Sequence, residues 1–229
     1  MKLSILIPAY NESKTILGII KRIQNVDLGE IEKELIIIDD FSTDGTREIL
    51  KSMEDDKIKV LFSEKNFGKG HSIVKGMNFA TGDLIIIQDA DFEYNPDDYP
   101  KLLRPILDGR TNVVYGSRIL GNNQIPKTKF YFGNKFLSLL TSVLYFSKIT
   151  DMETCYKVFK REIVKGMKIK SKRFGLEPEL TSKILNRGNK IIEIPISYNP
   201  RSVLQGKKIK PIDGLKAILT LFIFRFSKN

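Results

Sequence analysis

Leu84-Ile85-Ile86-Ile87-Gln88-Asp89-Ala90-Asp91-Phe92-Glu93 is the stretch on which the fold turns. Four aliphatic residues in a row, closed by acids, read as a short strand buried on both faces, and strands of that kind belong to parallel sheets covered by helices. Moving outward, the same signature recurs at residues 3–7, 35–38, 58–62 and 113–115. Between these runs lie amphipathic stretches: Ile16, Ile19, Ile20 and Ile23, then residues 46–53, then Ile73, Val74 and Met77. Strand and helix in alternation give an α/β class with a mostly parallel central sheet flanked by helices. Ligands of such sheets bind beyond the carboxyl ends of the strands, where the strand order reverses. The residues that follow each strand are therefore the ones to inspect.

The second half reads differently. A helix rich in Phe, Leu and Tyr is expected over residues 129–146, then a short strand at 156–159, a helix at 178–186, a strand at 191–196, a basic loop and an apolar helix from Pro211. No repeat, linker or sharp change of composition divides the 229 residues, so a single domain is expected. With 41% hydrophobic and 28% charged residues the chain is globular and not disordered. The net charge of +11 favours polyanionic partners, whether nucleic acid, acidic lipid or a phosphorylated substrate, and also suits a solubilising surface. Cys155 is the sole cysteine, which excludes an internal disulfide and fits a reducing compartment. Residues 2–8 are too short for a secretory signal, and no run approaches the ~20 apolar residues that cross a bilayer.

After the first strand comes Pro8-Ala9-Tyr10-Asn11-Glu12. Tyr10 can cover a base or ribose and Glu12 can accept from a ribose hydroxyl; equally, Asn11 or Ser13 can cap the next helix, with Glu12 at its positive end. After the second comes Asp39-Asp40-Phe41-Ser42-Thr43-Asp44-Gly45-Thr46. Asp44 or Thr43 suits a helix cap and Gly45 a relaxed turn, whereas the adjacent Asp39 and Asp40 repel unless a donor or metal satisfies them. After the third, Gly68 and Gly70 allow close backbone approach and Lys69 can meet a diphosphate, although the spacing is not that of a Walker A loop. His71 has no partner for a metal or nucleophile role and reads as a loop residue. The fourth strand carries the strongest signal. In an extended chain Asp89 and Asp91 point the same way, roughly 6–7 Å apart, and Glu93 continues that face. Carboxylates so placed suit Mg²⁺ or Mn²⁺, which bind few protein oxygens and keep a substrate phosphate as ligand.

Five segments appear in order over residues 1–118: Pro8-Ala9-Tyr10-Asn11-Glu12, Ile38 through Thr46, Asn66-Phe67-Gly68-Lys69-Gly70, Asp89-Ala90-Asp91 and Gly116-Ser117-Arg118. As a set they resemble the family 2 glycosyltransferases of GT-A fold, a Rossmann-like architecture with a metal-binding Asp-x-Asp after a nucleotide-binding half. Residues 119–229 are similar to the dolichol-phosphate mannose and polyprenyl-phosphate glucose synthases. The matching pieces are Asp151-Met152-Glu153-Thr154-Cys155-Tyr156-Lys157, Glu177-Pro178-Glu179, Pro195-Ile196-Ser197-Tyr198, Arg201 and Gly206-Lys207-Lys208. The resemblance implies a nucleotide-sugar half (1–118) and an acceptor half (119–229) with interfacial helices. It places Pro8, Tyr10, Glu12, Ile38 and Asp40 on the nucleoside, and Lys69, Asp89, Ala90 and Asp91 on the nucleotide sugar. Asp89, Asp91 and Glu93 then hold the metal, Glu93 standing where the mannose synthases often show Gln. Arg118, Arg201 and Lys208 fall where phosphate is clamped, the last within Gln205-Gly206-Lys207-Lys208 in place of a Gly-Glu-Ser-Lys segment. Asn134, with Lys129 nearby, stands where those synthases seat the lipid phosphate with Ser and Arg. Asp151 opens a segment that replaces Asp-x-x-Ser-Gly.

The implied activity is inverting, metal-dependent transfer of a hexose, mannose or glucose, from GDP-mannose or UDP-glucose to a polyprenyl or dolichyl phosphate. Asp91 and Asp151 are the catalytic candidates. Asp151 orients the acceptor or acts as its base; a helix cap or a Lys partner is the competing role. The apolar positions Phe130, Phe132, Phe136, Leu137, Leu140, Leu144 and Phe146, and Ile212, Leu215, Ile218, Leu219, Phe222, Ile223 and Phe226, repeat at helical spacing beside lysines. Either stripe alone suits a core; both together suit helices in a lipid headgroup layer, hence peripheral attachment at a cytoplasmic membrane face, with or without a small membrane protein. The alternative is a soluble family 2 transferase acting on a glycan or protein hydroxyl. A nucleic-acid module is disfavoured because carboxylates at the strand ends repel a phosphate backbone. A nucleotidyltransferase opens with a glycine-rich basic loop, which Pro8 through Glu12 is not.

Overall fold

The computed structural model describes residues 1–53, 55–171, 173, 175–200 and 211–226, with side chains from 214 in the last segment. The elements are β1 (Lys2–Ala9), α1 (Ile16–Asn25), β2 (Glu32–Asp39), α2 (Thr46–Lys51), β3 (Ile58–Phe62), α3 (Lys69–Phe79), β4 (Leu84–Ile87), α4 (Tyr99–Leu107), β5 (Val113–Ser117), α5 (Lys129–Tyr145), β6 (Lys157–Lys160), α6 (Arg161–Val164), α7 (Leu176–Asn186), β7 (Ile191–Pro195) and α8 (Pro211–Phe226). One seven-stranded sheet runs in the order β3-β2-β1-β4-β6-β5-β7. Only β6 is antiparallel to its neighbours, β4 and β5. The chain moves outward from β1 through β2 to β3, then returns to β4 on the other side of β1, so the order reverses between β1 and β4. Both halves of the chain build this sheet.

Burial explains the strand signatures. β4 and β5 are buried at every position, as in a sheet covered on both faces, while the edge strand β3 is only partly buried. Helix α3 lies close against β1 and β2 because Gly76 has no side chain: a Cβ there would sit 2.9 Å from Ile38 Cδ1 and 3.2 Å from Leu6 Cδ2. The helix α4 carries a clear helical period, Tyr99, Leu102, Leu103 and Ile106 all being buried, but Pro100 and Pro105 within it argue against a helix from sequence alone. Pro100 falls in the first turn, where the missing N–H has no intrahelical partner in any case, and Pro105 is buried near the end. The same tolerance lets α7 begin at Leu176, ahead of Pro178. The helices α5, α7 and α8 pack on one another beside the sheet.

Candidate active site

The ends of β1, β2 and β4 converge at the switch point, and the acids there are satisfied from within the protein. Asp39 is fully buried. Its Oδ1 accepts from the Ser42 amide at 3.2 Å and its Oδ2 from Arg47 Nε at 2.7 Å. Asp40 accepts the amides of Phe67 at 3.0 Å and Gly68 at 2.6 Å, which ties the loop before α3 to the end of β2. Gly68 makes that possible with a φ of 97°. The repulsion expected between the paired carboxylates is thus relieved by four protein donors. Two non-glycine residues at these strand exits, Asn11 at φ 56° and Phe41 at φ 67°, hold the left-handed conformation, a local strain that clusters at binding sites.

The helix caps differ from the sequence expectation. Thr15, not Asn11 or Ser13, precedes α1, and no side chain caps it. Asn11 instead joins two loops, its amide donating to Ser42 Oγ at 3.0 Å and its Oδ1 accepting from the Thr43 amide at 2.9 Å. Asp44 collects the amides of Ser13 and Thr46 and the Thr46 hydroxyl. Burial raises its pKa, and these donors outweigh that to bring it down to about 2. The Glu12 amide donates to Thr46 Oγ1 at 2.9 Å. Pro8 and Tyr10 are half-buried at the same rim, whereas the Ile38 side chain is fully buried and its strand is paired on both sides, to β1 at Pro8 and to β3 at Leu61. His71 lies inside α3 and not in a loop, stacked on Phe67 with ring centroids 4.4 Å apart.

Beyond β4 the extended alternation expected through Glu93 does not persist. The strand ends at Ile87, and the Asp91 Oδ1 accepts the Glu93 amide at 2.9 Å, so the chain bends. The three acids therefore do not share one face of an extended strand; Asp91 and Glu93 sit on a turn. Gln88 anchors that turn from below. Its Oε1 accepts from the hydroxyls of Tyr99 and Tyr156, each at 2.7 Å, while its Nε2 donates to the Asp89 carbonyl at 2.9 Å. Tyr94 packs against Tyr156 and its hydroxyl accepts the Cys155 amide at 2.9 Å. Asp91 is buried, whereas the Asp89 side chain is 21% exposed and pairs through Oδ1 with Lys69 Nζ at 2.8 Å. Lys69 also lies 3.5 Å from Glu177 Oε1, at the start of α7. Burial lowers the Lys69 pKa, but Asp89 and Glu177 outweigh it and hold the ammonium charged.

A second cluster stands where β5 exits. Arg118 grips the fully buried Asp151 with Nε at 2.8 Å and Nη2 at 2.7 Å, and its amide adds a third bond at 2.9 Å. Asn134 Nδ2 donates to the same carboxylate at 2.8 Å. Burial raises the Asp151 pKa, the guanidinium more than offsets it, and the carboxyl stays below its ordinary value. Asp151 is accordingly the counterion of Arg118, not a helix cap or the partner of a lysine, and a depressed pKa makes it a weak base. Glu193 on β7 accepts the amides of Thr150 and Asp151 at 2.7 and 2.9 Å, fixing the segment from beneath. Glu153 is half-buried beside these groups; burial and the neighbouring Glu177 push its pKa up to about 8.

The structure thus brings Lys69, Asp89 and Glu177 together, and Arg118, Asn134 and Asp151 together. It does not bring Lys129 to Asn134, for five residues turn a helix by about 140° and Lys129 is exposed. Arg201 and Lys208 lie outside the described residues. Gln88, Glu177, Glu193 and the three tyrosines were not singled out as site residues. Their signal is polarity at buried positions: a Gln after four aliphatics and a Glu within the apolar strand β7.

The carboxylates present fit a divalent cation. Among the described residues no group of three or more His, Cys, Asp or Glu side chains is placed to hold a metal ion, whereas Mg²⁺ needs only one or two carboxylates plus substrate phosphate. Asp89 Oδ1 is paired here with the Lys69 ammonium.

Known proteins place this geometry. Residues 4–167 match the family model described as Glycosyl transferase family 2. The chain is 28% identical to a dolichol-phosphate mannosyltransferase of Pyrococcus furiosus, over 91% of its own length and 61% of that protein's. It is 29% identical to the UDP-N-acetylglucosamine–dolichyl-phosphate N-acetylglucosaminyltransferase of Methanococcus voltae, over 98% and 96% of the two chains. In fold it is similar to glucosyl-3-phosphoglycerate synthase from Mycobacterium tuberculosis, solved with Mn²⁺, UDP and phosphoglyceric acid. The TM-score is 0.75 at 19% identity, covering 100% of this chain and 80% of that one.

Proposed function

The chain belongs to glycosyl transferase family 2 and has the GT-A fold, and from that premise we propose that it transfers a hexose from a nucleotide diphosphate sugar to a polyprenyl or dolichyl phosphate at a membrane surface. GDP-mannose and UDP-glucose are the proposed donors, and the Methanococcus voltae relative's name adds UDP-N-acetylglucosamine to the panel. Residues 1–118 receive the donor and 119–229 the acceptor within one domain. The observation that carries the reading is a helix apolar on its outer as well as its inner face. Leu137, Ser138 and Thr141 of α5 are buried, Leu140 and Leu144 pack on the core and Asn134 reaches Asp151, while Phe132, Phe136, Leu139 and Val143 point to solvent, Leu139 at 64% exposure. On α8, Ala217 and Leu221 are buried, and Leu215, Leu219, Phe222, Ile223 and Phe226 are exposed.

Apolar surface so concentrated on two packed helices marks an interaction face. Exposed Lys127, Lys129, Lys135, Lys148 and Lys216 flank it and suit an anionic lipid headgroup layer. Among the described residues no helix is long and apolar enough to cross a membrane. The exposed apolar face and its lysines support peripheral attachment at a cytoplasmic face as the proposal, with a small membrane protein as a further anchor.

In the reaction Pro8, Tyr10, Glu12, Ile38 and Asp40 form the nucleoside end of the site, and Lys69 faces the diphosphate. Asp89 and Asp91, with Glu93 at the turn, would hold Mg²⁺ or Mn²⁺. When bound, that ion neutralises the charge that develops on the leaving nucleoside diphosphate. A lipid phosphate is already anionic and attacks the anomeric carbon from the face opposite the leaving group without a strong base, giving inversion. Asp151 then positions Arg118, whose remaining N–H edge meets phosphate, and Lys129 steers the acceptor from the start of α5. Incubation of the purified protein with polyprenyl phosphate and each labelled sugar nucleotide, with and without EDTA, tests this. Metal-dependent label in the lipid phase supports it; label entering only glycan or protein hydroxyls would favour the soluble alternative.

A further inference from the structure

Lys69 occupies an unusual place for a residue expected on a diphosphate. Its ammonium bridges Asp89 Oδ1 at 2.8 Å and Glu177 Oε1 at 3.5 Å, joining the exit of β4 to the start of α7. Glu177 is buried, and its Oε2 is enclosed with no hydrogen-bond partner. The lysine is anchored at its own backbone as well, since it follows Gly68, whose amide is held by Asp40. We propose that Lys69 is an exchangeable counter-cation of the metal site: it neutralises Asp89 while the site is empty of nucleotide, and the divalent ion can take Asp89 only when a diphosphate takes the ammonium. Glu177 is the positioning residue that keeps the displaced ammonium within reach.

The physical reason is charge. An ammonium and a divalent cation on one carboxylate oxygen lie a few ångströms apart and repel strongly in a half-buried site. Moving the ammonium away with nothing to receive it leaves a buried Glu177 without its cation and a lysine without its partners. A diphosphate beside Asp89 receives the ammonium within reach of Glu177, so the lysine can leave Asp89 without stranding either group; nucleotide therefore raises metal affinity, and by reciprocity metal raises nucleotide affinity by the same factor. The inference rests on the metal assignment proposed above.

The test measures Mn²⁺ binding, from the electron paramagnetic resonance of the free ion, with UDP or GDP and without either. It uses the full chain, Lys69→Met, Lys69→Arg and, as a charge control away from the site, Lys135→Met. The wild type is expected to bind Mn²⁺ weakly alone and at least about tenfold more tightly with nucleotide. Lys69→Met is expected to bind Mn²⁺ alone about tenfold more tightly than wild type, with the gain from nucleotide reduced. Lys69→Arg should keep the wild-type pattern, and Lys135→Met should change affinity by less than about twofold. Lys69→Gln, which keeps a hydrogen-bond donor for Asp89, replaces the methionine variant if that one does not fold. Metal affinity without nucleotide that is unchanged or weaker in the neutral variants, while nucleotide-bound wild type still takes Mn²⁺, would overturn the exchange and spare the metal site. Failure of every protein to take Mn²⁺ with either nucleotide would remove the metal assignment itself and the exchange with it.

Discussion

Replacing Asp151 by Asn should cost the fold about 3–5 kcal/mol, because one partner of a buried ion pair is removed and the other is left behind. The carboxylate is fully buried and takes four donors: Arg118 N, Nε and Nη2 and Asn134 Nδ2, at 2.7–2.9 Å. An amide keeps one acceptor and turns two N–H donors on the rest. The lower end of the range is expected, since the Arg118 side chain is 16% exposed and water can reach it. Urea unfolding of wild type and Asp151→Asn, followed by circular dichroism, gives the difference directly. The pH dependence adds a sign. Burial pushes the Asp151 pKa up and Arg118 pulls it further down, so the folded value lies below the unfolded one of about 3.9. Its stabilisation is therefore complete above that value and is lost as pH falls through the folded pKa. The gap between the two proteins should hold at neutral pH and close in acid below about pH 4. A gap under about 1 kcal/mol at neutral pH, or one that widens in acid, would refute the assignment of Asp151 as counterion.

Three further outcomes follow from the packing. Gln88→Leu strands two buried tyrosine hydroxyls and should cost about 3 kcal/mol, seen as a lowered Tm, with activity falling further than stability as the Asp89 turn loosens. Gly82→Ala should destabilise by about 1–3 kcal/mol, since its Cβ would sit 2.7 Å from the Lys2 carbonyl oxygen and 2.9 Å from the Ser4 nitrogen, both backbone; an unchanged midpoint in urea would contradict that packing. Phe136→Asp combined with Leu219→Asp should abolish flotation with acidic liposomes yet shift stability by no more than about 0.5 kcal/mol, as both side chains are exposed.

Much of this molecule could be read from the chain because buried parallel strands leave a plain mark. Residues 84–87, 3–7 and 35–38 are aliphatic on both faces, and the structure buries them as a sheet with its switch point beside β4. The helix α4 escaped because Pro100 and Pro105 read as breakers, although Tyr99, Leu102, Leu103 and Ile106 keep the helical period. The acids were legible as residues but not as partners. Asp39 finds Arg47 eight residues on, yet Asp151 finds Arg118 33 residues back, and Asp89 meets Lys69 at the start of the preceding helix, α3. Pairings of that length are set by strand order, which periodicity does not carry. The outward apolar face of α5 was half visible: its apolar residues were plain, but they line both faces, and only the position of Asp151 tells which is inner.

Anomalous diffraction from crystals grown with Mn²⁺ and a nucleoside diphosphate probes the metal claim at its source. The expected result is one manganese peak within coordination distance of Asp91 or Asp89 and of a phosphate oxygen, with the Lys69 ammonium withdrawn from Asp89. A nucleotide bound at the switch point with no manganese at the exit of β4, the lysine still on Asp89, would contradict it.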